Sequence, residues 1–198
     1  MRNAILAAAA VIAAAAVPAA AADYKTGPYA GLTVGYSTSQ IGADGLDIGQ
    51  EGANVAGLAG FTFRAAGLVW GAEGDLGWNG VSSSFTDGNT TLKASGRLTG
   101  TARGRAGVAL GPALLYGTAG VAFRETSIEV NGTTGSDWLV GYVAGGGVEI
   151  QMTNTVQVRL EALRYGFPDS KISVDNIGTA RFDQTDTVVR AGLTFALN

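Results

Sequence analysis

The sequence predicts an all-β fold: an eight-stranded antiparallel up-and-down transmembrane β-barrel preceded by a cleaved signal peptide. Three observations carry this expectation. One segment alternates between apolar residues and small or acidic ones, with a tryptophan near each end of its apolar face. The chain opens on an apolar, alanine-rich leader, yet no later stretch is apolar for long enough to cross a bilayer as a helix. Further alternating segments recur to the end, joined by connections that are long and short in turn.

The first of these segments is Val69–Ser83 (VWGAEGDLGWNGVSS). A strand points successive side chains to opposite faces. Trp70, Ala72, Gly74, Leu76 and Trp78 therefore share one face; Gly71, Glu73, Asp75 and Gly77 share the other. Eight residues of strand span about 26 Å, or about 20 Å along a membrane normal at a tilt of roughly 40°. That is close to the apolar band between the aromatic girdles of an outer-membrane barrel. The apolar face is thus expected to meet lipid and the acids to point inward, the reverse of a soluble sandwich.

The leader has three parts. Arg2 is the positive n-region, Ile5–Val17 the apolar run, and Ala20-Ala21-Ala22 the small-residue cleavage site, with Asp23 the expected mature start. The run is shorter than the ~20 residues of a helical span, which disfavours an uncleaved anchor. The expected division is residues 1–22 as signal peptide and 23–198 as outer-membrane β-barrel, a mature chain of 198 − 22 = 176 residues and one domain. A membrane protein without apolar 20-mers must close its strands on themselves, because lipid cannot satisfy open backbone groups. The chain has no cysteine, so neither a disulfide framework nor a thiolate metal site is available. Without Arg2, 12 basic residues stand against 16 acids, a net charge of 12 − 16 = −4. No basic patch or arm suggests nucleic acid.

The elements follow in order. Tyr29–Ser39 sends Ala30, Leu32, Val34 and Tyr36 outward, and a polar, glycine-rich loop is expected to about Ala53. Asn54–Arg64 puts Phe61 and Phe63 outward, Thr62 and Arg64 inward. Ala65-Ala66-Gly67 turns into the tryptophan strand, and Asp87-Gly88-Asn89 has hairpin-turn chemistry. Thr91–Leu110 is the clearest strand: Arg97, Thr99, Thr101, Arg103 and Arg105 oppose Leu98, Ala102, Ala106, Val108 and Leu110. Gly111-Pro112-Ala113 turns it into Leu114–Thr126, with Leu115, Ala119, Val121 and Phe123 out and Tyr116, Thr118 and Arg124 in. A loop through Asn131-Gly132 leads to Trp138–Gln151, where Trp138, Val140, Tyr142, Val148 and Ile150 oppose Glu149. Met152-Thr153-Asn154 turns into Thr155–Phe167, with Val156, Val158 and Leu160 opposite Gln157, Arg159 and Glu161. A polar loop from Pro168 to about Asp183 precedes the last strand, with Val189, Ala191, Leu193, Phe195 and Leu197 out and Arg190 and Thr194 in. Simple alternation sends Arg164 outward. Either a bulge resets the phase, or Arg164 lies at the membrane edge and snorkels; the edge is favoured. Pro28, Pro112 and Pro168 are expected at strand ends or turns. The strand glycines leave space for arginines opposite them.

The inward charges are Glu73, Asp75, Arg97, Arg103, Arg105, Arg124, Glu149, Arg159, Glu161 and Arg190. An eight-stranded barrel is just wide enough inside for side chains, and the arginine fork matches carboxylates. A lumen filled by an Arg/carboxylate network is therefore expected in preference to a selective channel or proton path. Trp70, Trp78, Trp138 and Tyr142 are expected as membrane-interface aromatics. Catalysis is disfavoured because the chain has no histidine to serve as general base. Glu73 and Asp75 resemble a catalytic carboxylate pair, but neighbouring arginines favour both ionised. Acids of the expected loops (Asp44, Asp47, Glu51, Asp87, Glu129, Asp137, Asp169, Asp175, Asp183 and Asp186) match no calcium loop. Gly145-Gly146-Gly147 lacks the following helix of a phosphate loop. No catalytic, cofactor or metal residue is assigned.

Several segments together resemble a known family: Tyr29–Tyr36 (YAGLTVGY), Trp70–Trp78 (WGAEGDLGW), Gly100–Phe123 (GTARGRAGVALGPALLYGTAGVAF), Gly141–Gln151 (GYVAGGGVEIQ), Val158–Tyr165 (VRLEALRY) and Val189–Phe195 (VRAGLTF). In order and spacing they resemble the small eight-stranded surface antigens of alphaproteobacteria, the Omp25/Omp31-like or opacity-type outer-membrane proteins. More distantly they resemble the OmpA transmembrane domain and OmpX. The resemblance implies an outer-membrane location and a structural or surface role supporting envelope integrity. The alternatives are a small porin-like diffusion pore, or an adhesin or receptor acting through the loops. Expected partners are outer-membrane lipid and lipopolysaccharide, the outer-membrane assembly machinery, and host or phage surfaces; the barrel is expected to be a monomer. The family's last strand usually ends on an aromatic residue, whereas this one ends Phe195-Ala196-Leu197-Asn198, so the expectation is either recognition through Phe195 or weaker recognition by the assembly machinery. No peptidoglycan-binding segment follows, so no tether to the wall is implied.

Overall fold

A sheet with one apolar and one charged face hides its charges if it curls until its edges meet, and this chain does so. The computed structural model describes residues 24–43, 46–79, 83–87, 90–94, 97–130, 133–174 and 178–197. The expected leader and Asp23 lie outside the described residues. The strands are β1 (Gly27–Ala43), β2 (Leu46–Ala65), β3 (Leu68–Asn79), β4 (Ser83–Asp87), β5 (Thr90–Ala94), β6 (Arg97–Leu110), β7 (Ala113–Val130), β8 (Thr133–Gln151), β9 (Val156–Val174) and β10 (Gly178–Ala196). Eight form a closed barrel in the order β1-β10-β9-β8-β7-β6-β3-β2; β4 and β5 pair as a separate ribbon. Every barrel pairing is antiparallel, and β10 closes the ring with Phe195 opposite Ala30.

The short turns match the expected positions. Ala66 and Gly67 both have positive φ, 51° and 82°, and close a two-residue hairpin with Ala65 opposite Leu68. That is the backbone a tight hairpin demands. Gly111, at φ 62°, and Pro112 turn β6 into β7, with Leu110 opposite Ala113. Between β8 and β9 the Thr153 hydroxyl accepts from the amide of Val156 at 3.0 Å.

The expected long loops are different. The stretch assigned to a loop before Ala53 is strand, with Ser39 opposite Gln50 and Ala43 opposite Leu46. The expected gap between Thr126 and Trp138 is strand as far as Val130 opposite Thr133. The gap from Pro168 to Asp183 is strand as far as Val174 opposite Gly178. Thr91–Leu110, expected as one strand, is divided between β5 and β6. Alternation of polarity reports contact with lipid, not strand itself. Beyond the membrane neither face has to be apolar, and the backbone ladder continues through polar, glycine and apolar residues alike. Pro168 consequently lies within β9 and not at its end. It sits where the register with β10 shifts between Phe182 and Gln184, and past the last β8 pairing at Gly166. A proline is tolerated at such a bulge because no ladder bond needs its missing N–H.

The described faces are arranged as the alternation predicts, except that Arg64, expected inward, is exposed at the turn end. Trp70 and Trp78 are 50% and 55% exposed on the outer surface, while Arg159 and Arg190 are 0% and 1% exposed inside. Leu32, Leu76, Leu110, Leu115 and Val140 are likewise exposed. β9 keeps its phase from Val156 to Phe167: Leu163 and Tyr165 are buried and Arg164 is exposed. Arg164 pairs regularly with Ala144 and Thr187, so no bulge resets it.

Candidate functional site

The site is the barrel lumen. Nine of the ten expected inward charges have described side chains, and all nine are buried: Glu73, Asp75, Arg103, Arg105, Arg124, Glu149, Arg159, Glu161 and Arg190. The tenth, Arg97, opens β6 opposite Asn79, and its side chain lies outside the described residues.

Eight of the nine form two linked rings. In the first, Arg105 meets Glu73 at 3.4 Å and Glu149 at 2.5 Å, while Arg159 meets the same two acids at 2.6 and 3.3 Å. In the second, Arg103 meets Asp75 at 2.9 Å and Glu161 at 3.1 Å, while Arg190 meets the same acids at 2.9 and 2.7 Å. An Arg103–Glu73 ion pair joins the rings. Each ring holds two cations and two anions, so each is neutral. Alternation explains the stacking: Glu73 and Asp75 are two apart on β3, as are Arg103 and Arg105 on β6 and Arg159 and Glu161 on β9. The ninth charge, Arg124, pairs with Asp186.

Neutral side chains complete the rings. The Tyr29 hydroxyl donates to Glu73 at 2.6 Å and accepts from Arg105 at 2.9 Å. The Tyr116 hydroxyl donates to Glu161 at 3.0 Å, and its ring lies 4.0 Å from the Arg105 guanidinium carbon. Thr194 donates to Glu149 at 3.2 Å. Glycines make the room. Arg103, Arg105, Arg159 and Arg190 stand directly across from Gly120, Gly71, Gly192 and Gly35. Tyr29 and Tyr116 stand across from Gly60 and Gly147, where an added Cβ would collide with each phenol.

Two apolar clusters share the lumen with these rings. Toward the short turns, Tyr24, Val69, Leu114 and Tyr116 pack together. Toward the long hairpins, Ala122, Val143, Leu163, Tyr165, Phe167 and Val188 do the same. Arg124 stacks over Phe167 at 4.2 Å. The segment before β1 folds against the turn end: the Tyr24 amide donates to Gly111 O at 3.2 Å, and the Lys25 amide to Gln151 at 3.2 Å. Burial pushes the Tyr24 phenol pKa well above its ordinary value, and the charge of Glu149 raises it further. On the outer surface Trp70, Trp78, Trp138 and Tyr142 are 50–57% exposed.

The description "Outer membrane protein beta-barrel domain" fits residues 7–195 of the chain. The chain belongs to that family. It is 34% identical over 176 residues to the 25 kDa outer-membrane immunogenic protein of Brucella canis, covering 85% of this chain and 78% of the relative. It is 29% identical over 170 residues to the 22 kDa outer membrane protein of Rhizobium leguminosarum bv. viciae, covering 85% and 77%. Among solved structures, Neisserial surface protein A is similar at TM-score 0.54 and 14% identity, over 85% of this chain and 97% of that one. The Pseudomonas aeruginosa outer membrane protein OprG is similar at TM-score 0.51 and 14% identity, over 87% and 97%. At that identity the likeness concerns the fold. The protein is therefore an outer-membrane β-barrel, located in the cell outer membrane.

In such a barrel the short turns face the periplasm and the longer connections face outward. Tyr24 and Lys25 thus lie at the periplasmic mouth. Three groups of lumen residues escape a search for charges on alternating segments. Asp186 falls in a stretch expected to be loop, although it shares a parity with Arg190 that marks it as inward. Tyr24 precedes any alternation and carries no such sign. The apolar cluster of Val143, Leu163 and Val188 corrects the expectation of a lumen filled by charges alone. These residues sit inward on strands whose outer faces are apolar too, so polarity does not distinguish their sides.

Proposed function

We propose that this outer-membrane barrel is a sealed, non-catalytic structural element that supports envelope integrity and displays its long hairpins at the cell surface. The observation that carries this reading is the lumen: two neutral ion-pair rings between two apolar clusters. A conducting pore needs a continuous aqueous path, and interiors of eight strands are filled by side chains. Among the residues whose side chains are described, the buried lumen charges balance: five arginines (103, 105, 124, 159, 190) pair with five carboxylates (73, 75, 149, 161, 186). Such a lining provides no net field to select cations or anions.

Residues 1–22 act as the export leader in this proposal, and Phe195 near the end of β10 is offered to the assembly machinery. The relatives in Brucella are described as immunogenic; the extended hairpins are the part of this chain open to the same exposure. Planar-bilayer recording of the refolded mature protein tests the central point. The expected trace has no unitary steps above baseline. Reproducible steps from the wild-type barrel would replace this reading with the diffusion pore.

A further inference from the structure

We propose that Arg164 and Tyr142 form a binding site on the outer wall of the barrel for a phosphate of an outer-leaflet glycolipid. Arg164 is exposed on the outward face of β9. Among the residues whose side chains are described it is the one cation on the outward wall. Lys25 and Arg64, the other exposed cations of that set, lie at the periplasmic end. Arg103, Arg105, Arg124, Arg159 and Arg190 are all inside. Arg164 has no ion pair or hydrogen bond from its side chain to the described protein. An outward arginine costs about 2–4 kcal/mol at the bilayer midplane and little at the interface, so its height matters.

The strands fix that height. On β9 the outward residues run Val156, Val158, Leu160, Ala162, Arg164. Arg164 stands eight residues above Val156, as Trp78 stands eight above Trp70 on β3. That rise puts Arg164 near the level of Trp78, at the upper edge of the apolar band and the outer-leaflet headgroups. Its partner on β10 is the exposed Thr187, and its partner on β8 is Ala144.

Tyr142 supplies a second donor. It lies directly across from Gly166, the next outward residue above Arg164. A Cβ at Gly166 would collide with the phenol carbon and oxygen. The Tyr142 ring therefore lies flat across β9 and carries its hydroxyl to the position above Arg164. A guanidinium that snorkels upward would share one patch with this hydroxyl and with the exposed Thr187. Donors without an anion among them suit a phosphate oxygen set, which a guanidinium grips in bidentate fashion. The inference needs the outer-membrane location and not the sealed lumen.

Native mass spectrometry of the full barrel in neutral detergent tests it, with three probes: phosphorylated lipid A, lipid A stripped of phosphate, and phosphatidylglycerol. The expected result is preferential retention of phosphorylated lipid A. R164A should weaken that binding about tenfold, the loss of one charge-assisted hydrogen bond. R164K should lose less, and Y142F should lose severalfold. G166V, which displaces the phenol, should match Y142F. Binding of stripped lipid A should not respond to any of these changes. Conductance should stay at its wild-type value in all of them, since none touches the lumen. Equal binding of phosphorylated lipid A by wild type and R164A would overturn the proposal. So would wild-type retention of phosphatidylglycerol as strong as that of phosphorylated lipid A, or equal losses for stripped and phosphorylated lipid A.

Discussion

Arg103→Met is the most informative single change in the lumen. Arg103 bridges the two rings through Glu73 and is also bonded to Asp75 at 2.9 Å and Glu161 at 3.1 Å. Its side chain is 0% exposed. Methionine fills similar space without charge, so little of the effect comes from a cavity. The loss leaves one uncompensated negative charge inside and removes one cation from each of three acids. Breaking a buried pair on one side costs about 3–5 kcal/mol. With a urea slope of about 2 kcal/mol/M, the unfolding midpoint should fall by about 2 M. Unfolding in detergent, followed by tryptophan fluorescence and by the gel shift between unboiled and boiled samples, measures it. The companion variant Glu73→Gln/Arg103→Met restores neutrality. It should lie above the sum of the two single losses by about 1–3 kcal/mol. A single-variant loss below about 1 kcal/mol, or strict additivity in the double, would refute the claim that these groups act as a charge network.

Other outcomes follow from the same geometry. Ala66 holds a left-handed backbone, φ 51°, which costs an ordinary L-residue about 1–2 kcal/mol; Ala66→Asn should raise the unfolding free energy by about 1 kcal/mol in the same urea assay. Gly60→Val should cost about 1–3 kcal/mol, because its side chain needs the space of the Tyr29 phenol; an unchanged midpoint would show that Tyr29 has another rotamer available. Mass spectrometry of protein extracted from outer membranes should give a mature chain beginning at Asp23; an intact mass retaining residues 1–22 would reject the leader.

Much of the fold was legible because lipid enforces a rule along its whole depth. Each residue of β3 from Leu68 to Asn79 faces either hydrocarbon or the lumen, and the two environments select different side chains. The pair Ala66-Gly67 and the pair Gly111-Pro112 were equally plain, since tight turns need particular backbones. Legibility stopped at the membrane edge. There residues 40–43 and 46–53 continue as paired strand although their polar, glycine-rich composition reads as loop, because water accepts either face. Within the lumen, charges could be assigned from sequence and their partners could not. Glu73 pairs with arginines on β6 and β9, and only the barrel's closure brings those strands within reach. Phe167, Tyr165 and Val188 were hidden for another reason: an inward apolar residue looks like any other apolar residue until its neighbours fix the parity.

The charges also decide register. A slip of one residue in β6 would carry Arg103 and Arg105 into lipid together. At about 2–4 kcal/mol each near the midplane, that slip costs about 4–8 kcal/mol before any lost ion pair is counted. An apolar lumen would impose no such penalty, because a slip would exchange one apolar face for another. Buried ion pairs often contribute little net stability compared with apolar replacements, so discrimination against wrong registers is a role that stability alone would not reveal. Replacing Arg105 and Glu149 together by leucine separates the two effects. The pair is removed without a net charge, while Arg159 keeps Glu73 at 2.6 Å. The folded variant should stay within about 1–2 kcal/mol of wild type in urea. Its refolding yield, read as the fraction giving the compact unboiled band, should fall. A variant that loses stability sharply but refolds to full yield would show that the rings hold the barrel together and do nothing to choose its register.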